Sequence, residues 1–325
     1  MSTPAAAPRL SVIVPAYQAA GSVARCLQAL LAQCRPGVEV ILADDGSTDG
    51  TAALVARRFP GVRLLRLPHA GSAAARAAAI GVARAPRLAF LDADCVPCAG
   101  WMQAVLAHAD RPAVYMGRVV PPADWRSRAV ALLQFGPYLG SAPRALDSFA
   151  LLNLSGPAAL FRRHPIPLVR HGHDRIWSWR LAASGVPIRF EPAQAVVHAP
   201  VLTPAALLAR QVSYARRFLA LRRLEPGLPG ARLAMLPGAG TGLLTVGRLA
   251  RDLVRLCRLR AELGIRWYGL PGYALVLAAA RWLEAVVQLG AVLEQPLLAP
   301  RLRPAPQPAA PGAGTSGRGS RRRSR

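Results

Sequence analysis

Residues 88–97 read Leu88-Ala89-Phe90-Leu91-Asp92-Ala93-Asp94-Cys95-Val96-Pro97. Four apolar residues run directly into two carboxylates one residue apart, and a proline follows soon after. The apolar run is too short for a helix and is bounded by breakers, which is the pattern of a strand buried in a parallel sheet. Acids at the C-terminal edge of such a strand sit where open α/β sheets take their ligands. Two carboxylates so placed repel each other unless a cation lies between them, and a divalent metal gripping a diphosphate meets that need. The competing reading is an acidic turn that merely caps the next helix.

Upstream, Leu10-Ser11-Val12-Ile13-Val14 is a β-branched run ended by Pro15, and Ser22 to Cys34 has helical spacing with Val23, Leu27, Leu30 and Leu31 on one face. Val38 to Ala43 forms a second strand, followed at once by Asp44-Asp45-Gly46-Ser47-Thr48-Asp49-Gly50. Ser47, Thr48 or Asp49 can cap a helix that runs through Arg58. Val62 to Leu67 is a third strand, and Gly71 to Ala85 is an alanine-rich helix carrying Arg76. Four strands alternating with three helices, closely connected, predict a doubly wound parallel sheet with right-handed crossovers. Its strand ends bring Pro15-Ala16-Tyr17, Asp44-Asp45 and Asp92-Ala93-Asp94 to one crevice. No Gly-x-Gly-x-x-Gly follows the first strand, which argues against a dinucleotide cofactor.

The 325 residues suffice for one large domain, or one domain with an appendage. Hydrophobic residues reach 53% mainly through alanine, and all 41 basic residues are arginine, so composition is partly a genomic habit. A net charge of +25 still asks for an anionic partner. The excess is densest from Arg210 onward, where 20 arginines face 5 acids. Five cysteines, an odd number with no secretory signal before them, predict a reducing compartment. Cys95-x-x-Cys98 has no second pair and reads as packing.

The middle is less regular. Ala113 to Gly117 reads as a strand, and Asn153 to Arg163 leads through Pro165 and Pro167 to His171-Gly172-His173-Asp174. Ile176 to Ala183 reads as a helix ending at Gly185, and Pro187 to Phe190 and Ala195 to His198 as late strands. A helix from about Pro204 to Arg223 holds Gln211, Tyr214, Arg216 and Arg217. In Leu243 to Arg260, the residues Arg248, Arg251, Arg255 and Arg258 share one face, with Val246, Leu249, Ala250, Leu253 and Cys257 opposite. Such a basic amphipathic helix fits a membrane surface, arginines toward acidic headgroups, or else docks on the sheet domain with a solvated basic face. Tyr273 to Leu293 is long enough to span a bilayer, yet Arg281, Glu284 and Gln288 form a polar stripe that favours an in-plane or shallowly embedded helix. From Ala299 onward, Pro, Gly, Ala, Ser and Arg predict a disordered basic tail.

With these pieces in order, the sequence resembles the family 2 glycosyltransferases of the GT-A fold. The carrying residues are Ser11-Val12-Ile13-Val14-Pro15-Ala16-Tyr17, Asp44-Asp45-Gly46-Ser47-Thr48-Asp49, Phe90-Leu91-Asp92-Ala93-Asp94, and His173-Asp174 leading into Trp177-Ser178-Trp179-Arg180-Leu181. The resemblance covers residues 10 to 220 and implies an α/β fold, a Rossmann-like doubly wound mixed sheet. It implies a UDP- or GDP-sugar donor, with Pro15, Tyr17 and Asp45 against base and ribose and Arg76 beside the nucleotide. Asp94, helped by Asp92, would hold Mg²⁺ or Mn²⁺ on the diphosphate, with His198 as a further contact to metal or phosphate. Asp174 would be the general base, with His173 and Trp177 toward the acceptor. Gln211, Arg216 and Arg217 match a polar helix lying over the donor phosphates or the acceptor. Three positions depart from the family pattern: Gln18 replaces an Asn, Ala75-Arg76-Ala77-Ala78-Ala79 lacks an Asn and a Gly, and Gly172-His173-Asp174 lacks a Glu.

The sequence therefore predicts a metal-dependent inverting transferase for a hydroxyl acceptor, lipid-linked acceptors included, on the cytoplasmic face of an anionic membrane. The expected layout is an N-terminal extension (1–9), a transferase domain (10–225, with a nucleotide half to 115 and an acceptor half from 116), amphipathic membrane-associated helices (231–298) and the tail (299–325). A non-catalytic scaffold of the same fold and a nucleotidyltransferase are the rivals, the latter without a Gly-rich triphosphate loop. No nucleic-acid partner is expected, since the basic tail lacks interleaved aromatics.

Overall fold

The computed structural model describes residues 7–169, 172–198, 208–216, 227 and 239–293. The predicted tail, His171, Arg217 and both ends of the predicted 204–223 helix lie outside the described residues.

The first half follows the expected alternation: β1 (Leu10–Ala16), α1 (Val23–Leu31), β2 (Val38–Asp44), α2 (Thr51–Arg58), β3 (Arg63–Arg66), α3 (Ser72–Val82) and β4 (Arg87–Leu91). These four strands pair in parallel in the order β3-β2-β1-β4. Every residue of β1 and β4 is buried, as expected of strands covered on both faces. Helix α1 buries Val23, Cys26, Leu27 and Leu30, while Leu31 is only half-buried. The N-cap of α2 is Gly50, in a left-handed conformation, and none of the three polar candidates fills it. Asp49, one residue out, still accepts from the Thr51 N–H and hydroxyl through Oδ1.

Beyond β4 the sheet becomes mixed. Two helices the sequence did not announce, α4 (Trp101–Ala107) and α5 (Trp125–Phe135), flank β6 (Val114–Val120). After a 3₁₀ turn (Gly136–Tyr138) come the two-residue β7 (Arg144–Ala145), β8 (Asn153–Pro157), α6 (Ala158–Arg163) and α7 (His173–Ala183). Strand β8 inserts antiparallel between β4 and β6. The two late strands are one, β9 (Ile188–His198), parallel to β6 with a register shift at Gly117/Arg118. A Cβ on Gly117 would collide with the Asn153 amide and the Gln194 carbonyl, so the irregularity depends on a glycine. Cys95-Val96-Pro97 is a short strand, β5, pairing antiparallel with β9 at the sheet edge, where a proline is tolerated. That pairing sets Cys95 opposite His198 and brings the end of β9 to the acidic turn.

Residues 208–216 are helical and are called α8 here. Helices α9 (Ala239–Leu259) and α10 (Leu270–Leu293) form a hairpin that packs on α5. Arg281 binds Asp252 of α9 at 2.7 Å and, one helical turn along its own helix, Glu284 at 2.8 Å. Arg248 reaches Glu284 at 3.0 Å and Arg255 reaches Asp252 at 3.1 Å. Two of the four arginines expected to meet headgroups therefore turn inward. Arg281, Glu284, Asp252 and Gln288 are all buried.

Candidate active site

The C-terminal ends of β1, β2 and β4 and the start of α3 surround a cavity of about 550 Å³. Its wall includes Pro15, Tyr17, Asp45, Arg76, Asp92 and Asp94, six residues singled out in the sequence. Parallel strands ending at one level bring segments from across the first hundred residues to a single crevice.

One end of the cavity is built on Asp45. Its buried carboxylate accepts from the N–H groups of Ala70 (2.8 Å) and Gly71 (2.9 Å), so it fixes the loop between β3 and α3. His69 of that loop places Nδ1 3.0 Å from Asp45 Oδ2 and stacks on Tyr17 with ring centroids 4.2 Å apart. Gly46 makes this approach possible, because a Cβ there would lie 2.9 Å from the His69 nitrogen. The sequence reading missed His69, a single histidine outside any periodic pattern. Gln18 replaces the expected Asn yet adopts φ +50°, in the left-handed region. Its Oε1 accepts from the N–H groups of Thr48 (2.9 Å) and Asp49 (3.1 Å), and its own N–H donates to Ser47 Oγ at 3.0 Å. The longer side chain thus clamps the loop after β2.

The two acids of the opening motif have different partners. Asp92 is bound by the Arg76 guanidinium, which is itself buried. Burial lifts the Asp92 carboxyl above its ordinary value, and Arg76 offsets this only in part. Asp94 opens on the cavity, with Oδ2 3.4 Å from Nε2 of the buried His198. Burial would raise Asp94 too, but the hydrogen bond and charge of His198, with Arg210 nearby, bring it below the usual carboxylate range. Asp94, Cys95 and His198 offer donor atoms within 4.8 Å of one another. Burial, with Asp94 and Asp92 close by, pushes the Cys95 thiol well up, so it stays protonated and offers no thiolate. A carboxylate oxygen and an imidazole nitrogen at this separation suit a divalent ion, whose ligands at about 2.1 Å lie roughly 3 Å apart. Asp92, engaged by Arg76, stands outside that donor group.

On the remaining side, α8 contributes Arg210 to the wall. Arg216 does not line the cavity; it is exposed, six residues on and so about 120° around the helix from Arg210. Gln211 is buried. His173 and Asp174 begin α7, half-buried, with Asp174 Oδ1 accepting from the Arg175 N–H at 2.9 Å. Neither lines the cavity. Trp177, expected at the acceptor, is wholly buried: its indole donates to the His164 carbonyl at 2.6 Å, and its rings pack on Phe90, Phe149 and Phe161. It supports α7 from behind and presents no surface to a ligand.

Several comparisons bear on this arrangement. The chain is 39% identical over 89 residues to the uncharacterized glycosyltransferase YibD of Escherichia coli (strain K12), covering 26% of each chain. It is 27% identical over 266 residues to the pre-mycofactocin glycosyltransferase of Mycobacterium tuberculosis (strain ATCC 25618 / H37Rv), covering 74% of this chain and 54% of that one. The chain thus spans between about a quarter and about half of the length of these relatives. Its fold resembles that of the mannosyltransferase PcManGT from Pyrobaculum calidifontis, solved in complex with GDP-Man and Mn²⁺, with a TM-score of 0.58, 20% identity and 87% coverage of both chains. Residues 11–167 match the family Glycosyl transferase family 2. Residues 11–167 thus carry a glycosyl transferase family 2 region, set in a mixed sheet on the GT-A pattern.

Proposed function

We propose that the chain transfers a sugar from a nucleotide-diphosphate sugar to a hydroxyl acceptor, with inversion at the anomeric carbon. The observation that carries this is the single cavity walled by Pro15, Tyr17, Asp45, Arg76, Asp92 and Asp94. Tyr17 offers a ring face to the base, backed by His69, and Asp45 holds the loop that borders it. Arg76 and Arg210 supply positive charge where a diphosphate would lie. Asp94 and His198 are the residues that would hold Mg²⁺ or Mn²⁺, and Asp92 keeps Arg76 in place. A divalent ion there would neutralise charge on the departing diphosphate. The Mn²⁺ and GDP-Man in the mannosyltransferase of similar fold are in keeping with this assignment.

Asp174, at the start of α7, is the proposed base that takes the acceptor proton, with His173 beside it. The transferase unit is residues 10–225, and the α9–α10 hairpin holds it peripherally to the cytoplasmic face of an anionic membrane. The acceptor there is a lipid-linked or envelope-polysaccharide hydroxyl.

The test is nucleotide release from a panel of UDP- and GDP-sugars, with and without Mn²⁺, followed by the anomeric configuration of the product. Release with a hydroxyl acceptor, abolished in Asp174→Asn while nucleotide binding persists, supports the proposal. Undiminished activity in that variant removes Asp174 from the base role. Nucleotide binding without turnover under every condition favours a non-catalytic scaffold.

A further inference from the structure

The C-terminal hairpin is turned inside out relative to a helix that faces water. Helix α10 carries only two charged residues, Arg281 and Glu284, and both are buried against Asp252 and Arg248 of α9. Burial would lower the Arg281 pKa, but Glu284 and Asp252 outweigh it and raise it above its usual value, so its guanidinium stays charged. The outward face of α10 is apolar: Leu275 is 71% exposed and Trp282 69%, with Val286 and Leu289 in line with them. Helix α9 repeats the pattern with exposed Leu243, Val246 and Val254. At the turn, Trp267 is 72% exposed beside Tyr268, and the Arg266 guanidinium lies 5.1 Å from the Tyr268 ring centre.

A helix facing solvent normally puts its charges outward, and a long uncharged apolar face marks an interaction site. Charge selects the occupant. Arg251, Arg258, Arg260 and Arg266 are exposed around the hairpin, and the whole chain carries +25, which attracts an anionic surface and keeps second copies apart. Trp and Tyr at the tip are the side chains that settle at a headgroup boundary.

We infer that the outer face of α9 and α10 is a lipid-binding surface that lies in the plane of an anionic bilayer and does not cross it. It deepens the membrane assignment made above and does not depend on the sugar-transfer reading. By length and hydropathy alone, Trp267–Gly290 could span. Its two charged residues, Arg281 and Glu284, are instead committed to the protein. Arg281 bridges to Asp252 and to the Leu133 carbonyl of α5, and the Arg255 guanidinium occupies the space that a Cβ on Gly136 would take. Crossing would carry that five-member charge cluster into hydrocarbon or tear it apart, and both are costly. The face stays attached to the domain and meets the membrane sideways.

The experiment uses the full chain with vesicles of phosphatidylcholine alone or in equal parts with phosphatidylglycerol, read by co-sedimentation. The unmodified protein should sediment with the anionic vesicles and much less with the neutral ones. Trp282→Glu and Leu275→Glu, both on the exposed face, should each weaken binding roughly tenfold or more. Their UDP or GDP binding and thermal melting should be unchanged, which separates failure of this surface from failure of the donor site. Equal binding by the Glu variants overturns the proposal. So does a light-scattering dimer that Trp282→Glu converts to monomer while vesicles leave the unmodified chain in solution. Resistance of the membrane-bound protein to alkaline carbonate extraction overturns the in-plane geometry in favour of a span.

Discussion

Asp94 and His198 meet across the β5–β9 pairing with carboxylate oxygen and imidazole nitrogen 3.4 Å apart, while Asp92 is turned to Arg76. The Asp-x-Asp motif is thus divided between an acid that faces His198 and an acid that holds Arg76. Replacing His198 by Ala should weaken Mn²⁺-dependent nucleotide binding by about 10- to 100-fold, the range for lost metal-site partners. Asp94→Ala should abolish the metal dependence altogether. Nucleotide titrations with and without Mn²⁺ check both, and an unchanged metal dependence in Asp94→Ala removes Asp94 from the ligand set.

Gln18 is predicted to compensate for the missing family Asn. Its amide satisfies two backbone N–H groups of the loop after β2. Gln18→Ala should raise the donor KM several-fold with a smaller effect on kcat, and lower stability by about 1 kcal/mol. Gln18→Asn, one methylene shorter, should recover part of the loss if the left-handed backbone geometry is retained. Steady-state kinetics and melting of the three proteins test this.

Glu39 gives the fold an acid-sensitive element remote from the cavity. Burial alone would raise its carboxyl, but the Ser11 hydroxyl, at 2.5 Å, and the Arg84 N–H and guanidinium bring it below the ordinary value of 4.5. A lowered folded-state pKa means that the ionised form stabilises the fold above pH 4.5, and that this contribution is lost as pH falls through the folded value. Melting temperature should therefore drop on acidification from that point. Glu39→Gln should melt lower at neutral pH and show a shallower acid decline, as followed by circular dichroism.

Arg281 is the hub of the buried charge cluster. Removing it alone, as Arg281→Met, leaves Glu284 and Asp252 buried with less compensation and should cost about 3 kcal/mol. A triple replacement of Arg281, Glu284 and Asp252 by apolar residues of similar volume should recover much of that loss. Chemical denaturation of the two variants distinguishes a partnerless-charge penalty from a packing defect.

The parallel half of the sheet was legible because its strands are continuous apolar runs separated by turn residues, each buried on both faces. Strand β8 was not, because Asn153 and Ser155 are polar and yet wholly buried. Their partners, the Trp101 indole and the Gln194 amide, come from distant segments that no local pattern reveals. The late strand was divided in two because the irregularity opposite Gly117 breaks its alternation. Motif matching brought six residues to the cavity wall, where strand ends fix position. It did not bring there Arg216, in whose helix Arg210 reaches the wall instead, or Trp177, expected toward the acceptor and buried in the core.

The strand order also sets a timetable for the site. The pairing of β1 with β2 joins segments 28 residues apart, Leu10 with Val38, whereas His198 lies 104 residues beyond Asp94 and reaches it through the pairing of β9 with β5. Closing long loops costs chain entropy and slows folding. During synthesis, every residue that builds the Tyr17–Asp45 end, His69 to Gly71 included, is translated well before His198. In a newly made chain the Asp94–His198 pair can close only after every segment of the Tyr17–Asp45 end has been translated.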